Sequence, residues 1–293
     1  MHYVIGDVHG CYKELMQLLR KIELQDNEAE IYFVGDLLDR GPEVWKVLEW
    51  ALEHISLNGR YRCVRGNHEE MILDWYKEWM KWWDAGGFSE NNPFGFMPET
   101  AYDFSKWADG MNALRPEKLE PIMRLIREMP YERKIDVKTN NGGYIRFRVV
   151  HAWYSDKEGL TRIQKRDINL WSRSEVDNCE SNEIIVHGHT PTIRSCVRPG
   201  MIEYRNNAIN VDGGCCFKEG YPMCPCMLCG LCLETLEEFY PYTLKERFEQ
   251  FEKEGWFLEG FKADDYLQNY EKRYMYKTNI CREEMLKRLL NYK

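Results

Sequence analysis

Asp7 and His9 stand two residues apart at the end of a short β-prone run, Tyr3-Val4-Ile5, with Gly6 before them and Gly10 after. On an extended segment, side chains at i and i+2 point to the same side. A carboxylate and an imidazole therefore face one place. The same pattern, an apolar strand running into polar ligand-type residues, recurs four more times. Ile31-Tyr32-Phe33-Val34 leads into Gly35-Asp36-Leu37-Leu38-Asp39-Arg40-Gly41. The run 61–65 leads into Gly66-Asn67-His68-Glu69, the run 145–150 into His151-Ala152-Trp153, and the run 183–186 into His187-Gly188-His189-Thr190. In an open α/β sheet, ligands gather outside the carboxyl ends of the strands. Five such ends would bring Asp, His, Asn and Arg to one crevice. That mixture of donors suits hard to borderline divalent cations such as Mn, Fe or Zn.

The elements that must position these residues are legible from apolar spacing. Leu15, Leu18, Leu19 and Ile22 fall at i, i+3, i+4 and i+7, which predicts a helix over 11–24. Val44, Val47, Leu48 and Ala51 repeat that spacing and predict a helix over 42–55, with Pro42 at its first position. Strand, ligand loop, helix and strand then alternate, so the sheet is expected to start parallel with right-handed crossovers. A third helix is expected from Glu69 through Trp83, carrying Ile72, Trp75, Trp79 and Trp82. The stretch 84–115 breaks the alternation with Gly, Asn, Pro and aromatics, and Leu119, Ile122, Met123 and Ile126 predict a helix over 116–128. The segment 75–130 therefore reads as an insertion over the site, with its aromatics either packed on themselves or forming a lid. Strands are expected at 208–212 and from Cys224 to Tyr240. The charged, aromatic, helix-prone segment 244–293 is expected to pack on the 1–243 domain or on a second subunit.

Bulk properties narrow the class. The chain has 293 residues, 44% of them hydrophobic, enough for one large domain. The formal net charge of −8 offers no electrostatic footprint for nucleic acid. Positive charge for a phosphate group must then come from metals and a few arginines. No apolar run approaches a membrane span, and a strand that begins at once leaves no room for a leader peptide. Eleven cysteines without a secretion signal suggest reduced thiols in a cytoplasm.

Taken in order, GDVHG, GDLLDRGP, GNHE, HAW and HGHTP resemble the calcineurin-like metallophosphoesterases of the serine/threonine protein phosphatase type. The likeness is to the bacterial and phage branch, which includes the lambda-phage protein phosphatase and the bacterial diadenosine tetraphosphatases, and it covers roughly residues 1–240. It implies an α/β fold with a central β-sandwich of mixed sheets flanked by helices. It also implies two divalent metal ions, with manganese expected and iron or zinc as alternatives. Asp7 and His9 would hold the first metal, Asp36 would bridge, and Asn67, His151 and His189 would hold the second. His187 is the poorer candidate, because the family's ligand sits in the GHT position. Arg40 would grip the phosphate, and Arg173, in Leu170-Trp171-Ser172-Arg173, resembles a second phosphate-binding arginine. Trp153 departs from the small residue usual there, so it would narrow the site or stack on a substrate ring.

Each of these residues has a plainer reading. Asp36 could cap a helix, and His151 could be a satisfied core histidine. The coincidence of five strand-end motifs weighs against those readings jointly. The run Cys224-x-Cys226-x2-Cys229-x2-Cys232 invites a zinc or iron–sulfur reading. On a strand, however, 224, 226 and 232 share one face and 229 takes the other, so packing is the expectation.

The function this predicts is hydrolysis of phosphomonoesters, foremost phosphoserine or phosphothreonine in proteins. A water bridging two cations would attack phosphorus directly, while His68, oriented by Asp39, would protonate the leaving oxygen. Two alternatives stand beside it: a dinucleoside polyphosphate hydrolase, and an inactive phosphate-binding module. The full ligand set and His68 argue against the second.

Overall fold

Three parallel strands carry the first three motifs. They are β1 (His2–Ile5), β2 (Glu30–Phe33) and β3 (Tyr61–Cys63), with Tyr3 opposite Ile31 and Ile31 opposite Tyr61. The structure is a computed structural model that describes residues 1–84, 115–173, 183–195, 197–221, 224–257, 260–275 and 280–290. Helices α1 (Tyr12–Gln25) and α2 (Val44–His54) make the two crossovers. Later in the chain, β9 (Gly230–Cys232) and β10 (Glu238–Phe239) complete this first sheet by antiparallel pairing, in the order β10-β9-β1-β2-β3.

The second sheet has the order β4-β5-β6-β8-β7. Its strands are β4 (Glu132–Lys138), β5 (Tyr144–Val150), β6 (Ile184–His187), β7 (Glu203–Arg205) and β8 (Ala208–Asn210). The central pairs β5–β6 and β6–β8 are parallel, and the two edge pairs are antiparallel. Strand alternation sorts the core into layers. Tyr3, Ile5, Ile31 and Phe33 face the helices, among Leu15, Leu18, Ile22, Val47 and Leu48. Val4, Tyr32 and Val34 face the other sheet, among Phe147, Val149, Ile184, Val186 and Ile209. Burying one such aliphatic side chain contributes about 1.5–3 kcal/mol, so this double layer holds the strand ends in register. The expected sandwich of mixed sheets is the observed fold.

Helix α3 (Asn67–Asp84) starts two residues before the expected Glu69, and α4 spans Pro116–Glu128. Ile72, Tyr76, Trp79, Leu119, Ile122 and Ile126 lie in the helix-side core, and Tyr76 bonds Glu120 at 3.0 Å. The described parts of the 75–130 segment are therefore structural layers on the first sheet, because their apolar stripes bury against it. Residues 85–114 lie outside the described residues. Pro42 sits in a turn, and α2 begins at Val44 after Glu43.

Two strand readings need correction. The edge strand β4 escaped the sequence reading because its buried residues, Ile135 and Val137, alternate with charges. Conversely, only 230–232 and 238–239 of the 224–240 run are strands. Residues 224–229 are irregular, and Cys226 sits in the left-handed region at φ 45°. The strand-face argument for the cysteines therefore lapses. Their dispersal is explained instead by packing: Cys229 lies in the core between the sheets and Cys232 in the helix-side core.

Beyond Tyr240 the chain adds α6 (Leu244–Lys253), α7 (Ala263–Tyr270) and α8 (Ile280–Leu290), where α5 is Arg162–Trp171. Phe248, Phe251, Tyr266 and Tyr270 cluster with Met201, while Met285 and Leu289 extend the core between the sheets. No helix among the described residues is long and apolar enough to cross a membrane.

Candidate metal centre

The motif residues meet at the carboxyl ends of β1, β2, β3, β5 and β6. Asp36 is central. One carboxylate oxygen, Oδ2, lies 3.4 Å from His9 Nε2 and 3.4 Å from His151 Nε2. Its other oxygen, Oδ1, accepts the His68 backbone N–H at 3.1 Å. Donor atoms of His9, Asp36 and His68 lie within 4.8 Å of one another, as do those of Asp36, His151 and His189. Asp36 belongs to both groups, as a bridging ligand must.

On the second side, three donor atoms form a small triangle. His151 Nε2 is 2.8 Å from Asn67 Oδ1 and 3.1 Å from His189 Nδ1, and His189 Nδ1 is 2.9 Å from Asn67 Oδ1. Ligands roughly 2.1 Å from one cation at near right angles lie about 3 Å apart. The triangle therefore has the edge lengths of one face of a coordination shell.

The tautomers agree with this. His9 and His151 each donate Nδ1–H to a backbone carbonyl, Leu38 at 2.8 Å and Val34 at 2.9 Å. That leaves each Nε2 with a lone pair facing inward, the usual orientation of a metal-binding histidine. Burial drives the basicity of all three imidazoles down: His151 to about 3, His189 to about 2, with neighbouring positive charges adding to burial, and His9 well below its ordinary value. Neutral imidazoles are the form that ligates.

Asp7 stands slightly apart from these donor groups. Its carboxylate accepts the His189 backbone N–H at 3.0 Å. A side chain at Gly188 would strike Asp7, with a Cβ only 1.9 Å from Oδ1, so the Gly188 position must be bare. Burial, with the charges of Asp212 and Asp36, raises the Asp7 pKa. Burial likewise raises Asp36 to about 6 and Asp212 to about 7. So many buried carboxyls crowded together call for positive charge beyond that of Arg40 and Arg173. The donor set, the tautomers and this charge deficit all fit a pair of divalent cations.

Around the centre lie the other expected residues. His68 Nδ1 is 2.5 Å from Asp39 Oδ2. Burial opposes a charged His68, but the Asp39 hydrogen bond and the charges of Asp36 and Asp39 outweigh it and raise its pKa. Arg40 donates to His9 Nε2 and His68 Nε2, each at 2.9 Å, and stacks over Phe217 with its guanidinium carbon 5.2 Å from the ring centre. Arg173 is exposed just after α5, close enough for its charge to act on His189 and Asp212. His187 stays outside both donor groups, with Nδ1 3.1 Å from the Gly188 carbonyl. Of the two readings of Trp153, stacking on a substrate ring needs correction: at 7% exposure it is packed with Val150, Ile185 and Ala208, edge-on to His187, and its edge borders the space beside Arg173 and Thr190.

Two residues that the sequence reading passed over complete the centre. The Glu69 carboxylate accepts the backbone N–H groups of Asp36, Leu37 and Gly66, each at 2.8 Å. Asp212 follows β8 and accepts the Gly214 N–H at 2.9 Å. The signal for Asp212 was present: a sixth apolar run ending in Asp-Gly. Backbone strain also marks the site. Among the described residues, eight non-glycine positions have positive φ, and five of them are His9, Asp36, Asp39, Arg40 and His189. Such conformations cost about 1–3 kcal/mol each and persist where surroundings enforce them.

The family signature of the calcineurin-like phosphoesterases matches residues 3–214, and the chain belongs to that family. Over 234 residues, 73% of this chain and 84% of the other, it is 27% identical to an asymmetrical bis(5'-nucleosyl)-tetraphosphatase of Bacillus velezensis. It is 42% identical over 71 residues to a symmetrical bis(5'-nucleosyl)-tetraphosphatase of Proteus mirabilis, a stretch covering 24% of this chain and 25% of that protein. Against a Hamiltonella defensa protein of the same description it is 38% identical over 92 residues, 31% of this chain and 29% of that protein. The match thus spans only about a quarter of the length of such relatives. Among solved structures, a putative diadenosine tetraphosphatase aligns with TM-score 0.47 and 16% identity, covering 82% of this chain and 91% of that one.

Proposed function

We propose that the chain is a two-metal phosphoesterase whose substrate is a dinucleoside polyphosphate. The observation that carries the two-metal reading is Asp36 Oδ2, set 3.4 Å from a histidine nitrogen on either side. Asp7 and His9 with Asp36 would hold one cation; Asn67, His151 and His189 with Asp36 would hold the other. When bound, such a pair supplies Lewis acidity and an activated water at neutral pH. Nitrogen and oxygen donors without thiolate fit manganese, iron or zinc. Arg40, once released from His9 and His68, would bind the phosphoryl oxygens with paired N–H groups. Arg173 would add positive charge from the other side. His68 would hand a proton from Nε2 to the departing oxygen, with Asp39 fixing its ring.

The sequence alone favoured phosphoserine or phosphothreonine as substrate. The relatives' names support the nucleotide reading instead, and among the described residues no feature of the site favours a protein substrate. Metal content and activity test the proposal together. The purified chain is expected to carry two metals, to hydrolyse p-nitrophenyl phosphate and to cleave diadenosine tetraphosphate. Asp36→Asn is expected to weaken both metals at once. A single tightly bound metal with full activity would sink the dinuclear reading. Phosphopeptides preferred over diadenosine tetraphosphate in kcat/KM would return the assignment to protein substrates.

A further inference from the structure

The reacting phosphoryl group would sit between Arg40 and the metal ligands, so the rest of the substrate must occupy space that adjoins them. Two cavities do. One, on the His189 side, is lined by Trp153, Arg173 and Thr190 and measures about 160 Å³. The other, on the Arg40 side, measures about 710 Å³. Sites for small ligands run from about 300 to 1,000 Å³, so of these two the second has room for a nucleoside.

Its lining is also of the right kind. Lys13, Arg40, Phe217, Tyr242, Glu254 and Trp256 all border it. Aromatic faces beside cations suit a ligand that is planar and anionic at once. A carboxylate such as Glu254 can accept from ribose hydroxyls or an exocyclic amine. A simple alkyl phosphate would leave this volume empty.

The wall is built partly by the C-terminal segment. Thr243 and Glu246 form a capping box that starts α6. At its far end the Trp256 backbone N–H donates to the Phe251 carbonyl at 3.1 Å, and the two rings lie 5.0 Å apart. Phe251 is itself fully buried. Trp256 is therefore placed by packing rather than by a free loop.

We propose that this cavity is a nucleoside diphosphate subsite, in which Trp256 and its neighbouring rings hold the base and Lys13 and Arg40 hold the phosphates. The C-terminal segment then acts as a specificity element of the phosphoesterase. This rests on the reading of the metal centre as a phosphoesterase site and names what lies next to the reacting phosphate.

Calorimetric titration of the metal-loaded full chain with ADP, and separately with inorganic phosphate, tests it. ADP is expected to bind at least tenfold more tightly than phosphate, the order of gain that stacking one base provides. Trp256→Ala is expected to remove most of that margin with phosphate affinity unchanged, and Trp256→Phe to keep most of it. Lys13→Ala, at an exposed position on α1, should weaken ADP severalfold. Phe261→Ala, an exposed aromatic outside the cavity, should change neither ligand. ADP no tighter than phosphate in the parent protein overturns the subsite, as does unchanged ADP affinity in Trp256→Ala. Should Trp256→Ala melt early, Lys13→Ala decides: unaltered ADP affinity there overturns the proposal and a weakened one supports it. Absence of hydrolysis with every phosphoester is a separate failure, that of the catalytic reading, and leaves the ADP titration to judge the subsite alone.

Discussion

Glu69 holds Asp36 by its backbone. Its carboxylate accepts the N–H of Asp36 at 2.8 Å, and those of Leu37 and Gly66 at the same distance. The contact joins the first turn of α3 to the loop after β2, so the carboxylate proposed to bridge the metals is aimed by a residue whose own carboxylate is taken up by backbone N–H groups. A side chain at Gly66 would strike both carboxylates, its Cβ 2.2 Å from Asp36 Oδ1 and 2.6 Å from Glu69 Oε2. Residues that orient ligands typically matter 10–100-fold in metal affinity or activity. Glu69→Gln keeps the shape but turns one acceptor into a donor facing N–H groups. We expect it to lower metal affinity about tenfold or more, with the fold retained. Unchanged metal affinity by competition with a chelator would show that Glu69 only fills space.

The same carboxyls predict a pH dependence of the metal-free protein. Burial lifts Glu69 to about 7, Asp212 to about 7 and Asp36 to about 6 in the folded chain. Unfolded, such groups ionise near pH 4. For these carboxyls the folded state binds more protons than the unfolded state between these limits, so their contribution to stability falls as pH rises. The imidazoles of His9, His151 and His189, held neutral by burial, act in the opposite sense until unfolded histidine loses its proton at about pH 6.5. The melting temperature of chelator-treated protein should therefore decline above that point, from about pH 6.5 to about pH 8. Added manganese should restore it, and by more at the higher pH. A melting temperature that rises over this range without metal would contradict the charge deficit.

The parts of this centre that were legible are those with a repeating grammar. An apolar run ending in Asp, His or Asn can be read from spacing, and α1, α2 and the stripe of α4 from i, i+3, i+4 periodicity. Glu69 was not legible because its task is local hydrogen bonding to backbone, which leaves no periodic trace. The β4 edge was hidden by charges on its solvent side. The cysteine-rich run misled in another way. Small apolar residues suggested a strand, but the chain turns at Cys226 and its carbonyls are met by a side chain from far along the sequence.

That side chain is Arg247, which is fully buried. Its Nε donates to the Pro225 carbonyl and its Nη2 to the Cys226 carbonyl, each at 3.0 Å, and its Nη1 to Gln250 Oε1 at 2.9 Å. Glu14, which is also bonded to Lys218, lies 3.6 Å away. Removing one partner from a buried ion pair costs about 3–5 kcal/mol. Arg247→Met should lower the melting temperature by several degrees. Arg247→Lys should rescue little, since a single ammonium cannot serve acceptors on several sides. A melting temperature within a degree of the parent would mean that the α6 segment is held by its aromatic cluster alone.

His68 and Asp39 give the sharpest chemical test. His68 Nδ1 is bonded to Asp39 at 2.5 Å, and Nε2 faces the centre 3.9 Å from Asp36 Oδ2. It shares a donor group with His9 and Asp36, but its two ring nitrogens are engaged by Asp39 and Arg40, so we expect its loss to leave both metals in place. A general acid matters when the leaving group is poor, as an alkoxide is. It matters little for p-nitrophenolate, which departs readily as an anion. Removing such an acid typically costs about 10²–10⁴-fold. His68→Asn should therefore lose most activity on glycerol 2-phosphate and much less on p-nitrophenyl phosphate. Asp39→Asn should show a weaker form of the same split. Its pH profile should also shift, because Asp39 contributes to the raised His68 pKa. With that support gone, the protonated form is lost at lower pH, and the alkaline limb for the poor leaving group should move down. Equal losses on both substrates, with two metals retained and the alkaline limb fixed, would argue that His68 serves the attacking water or the phosphoryl oxygens instead.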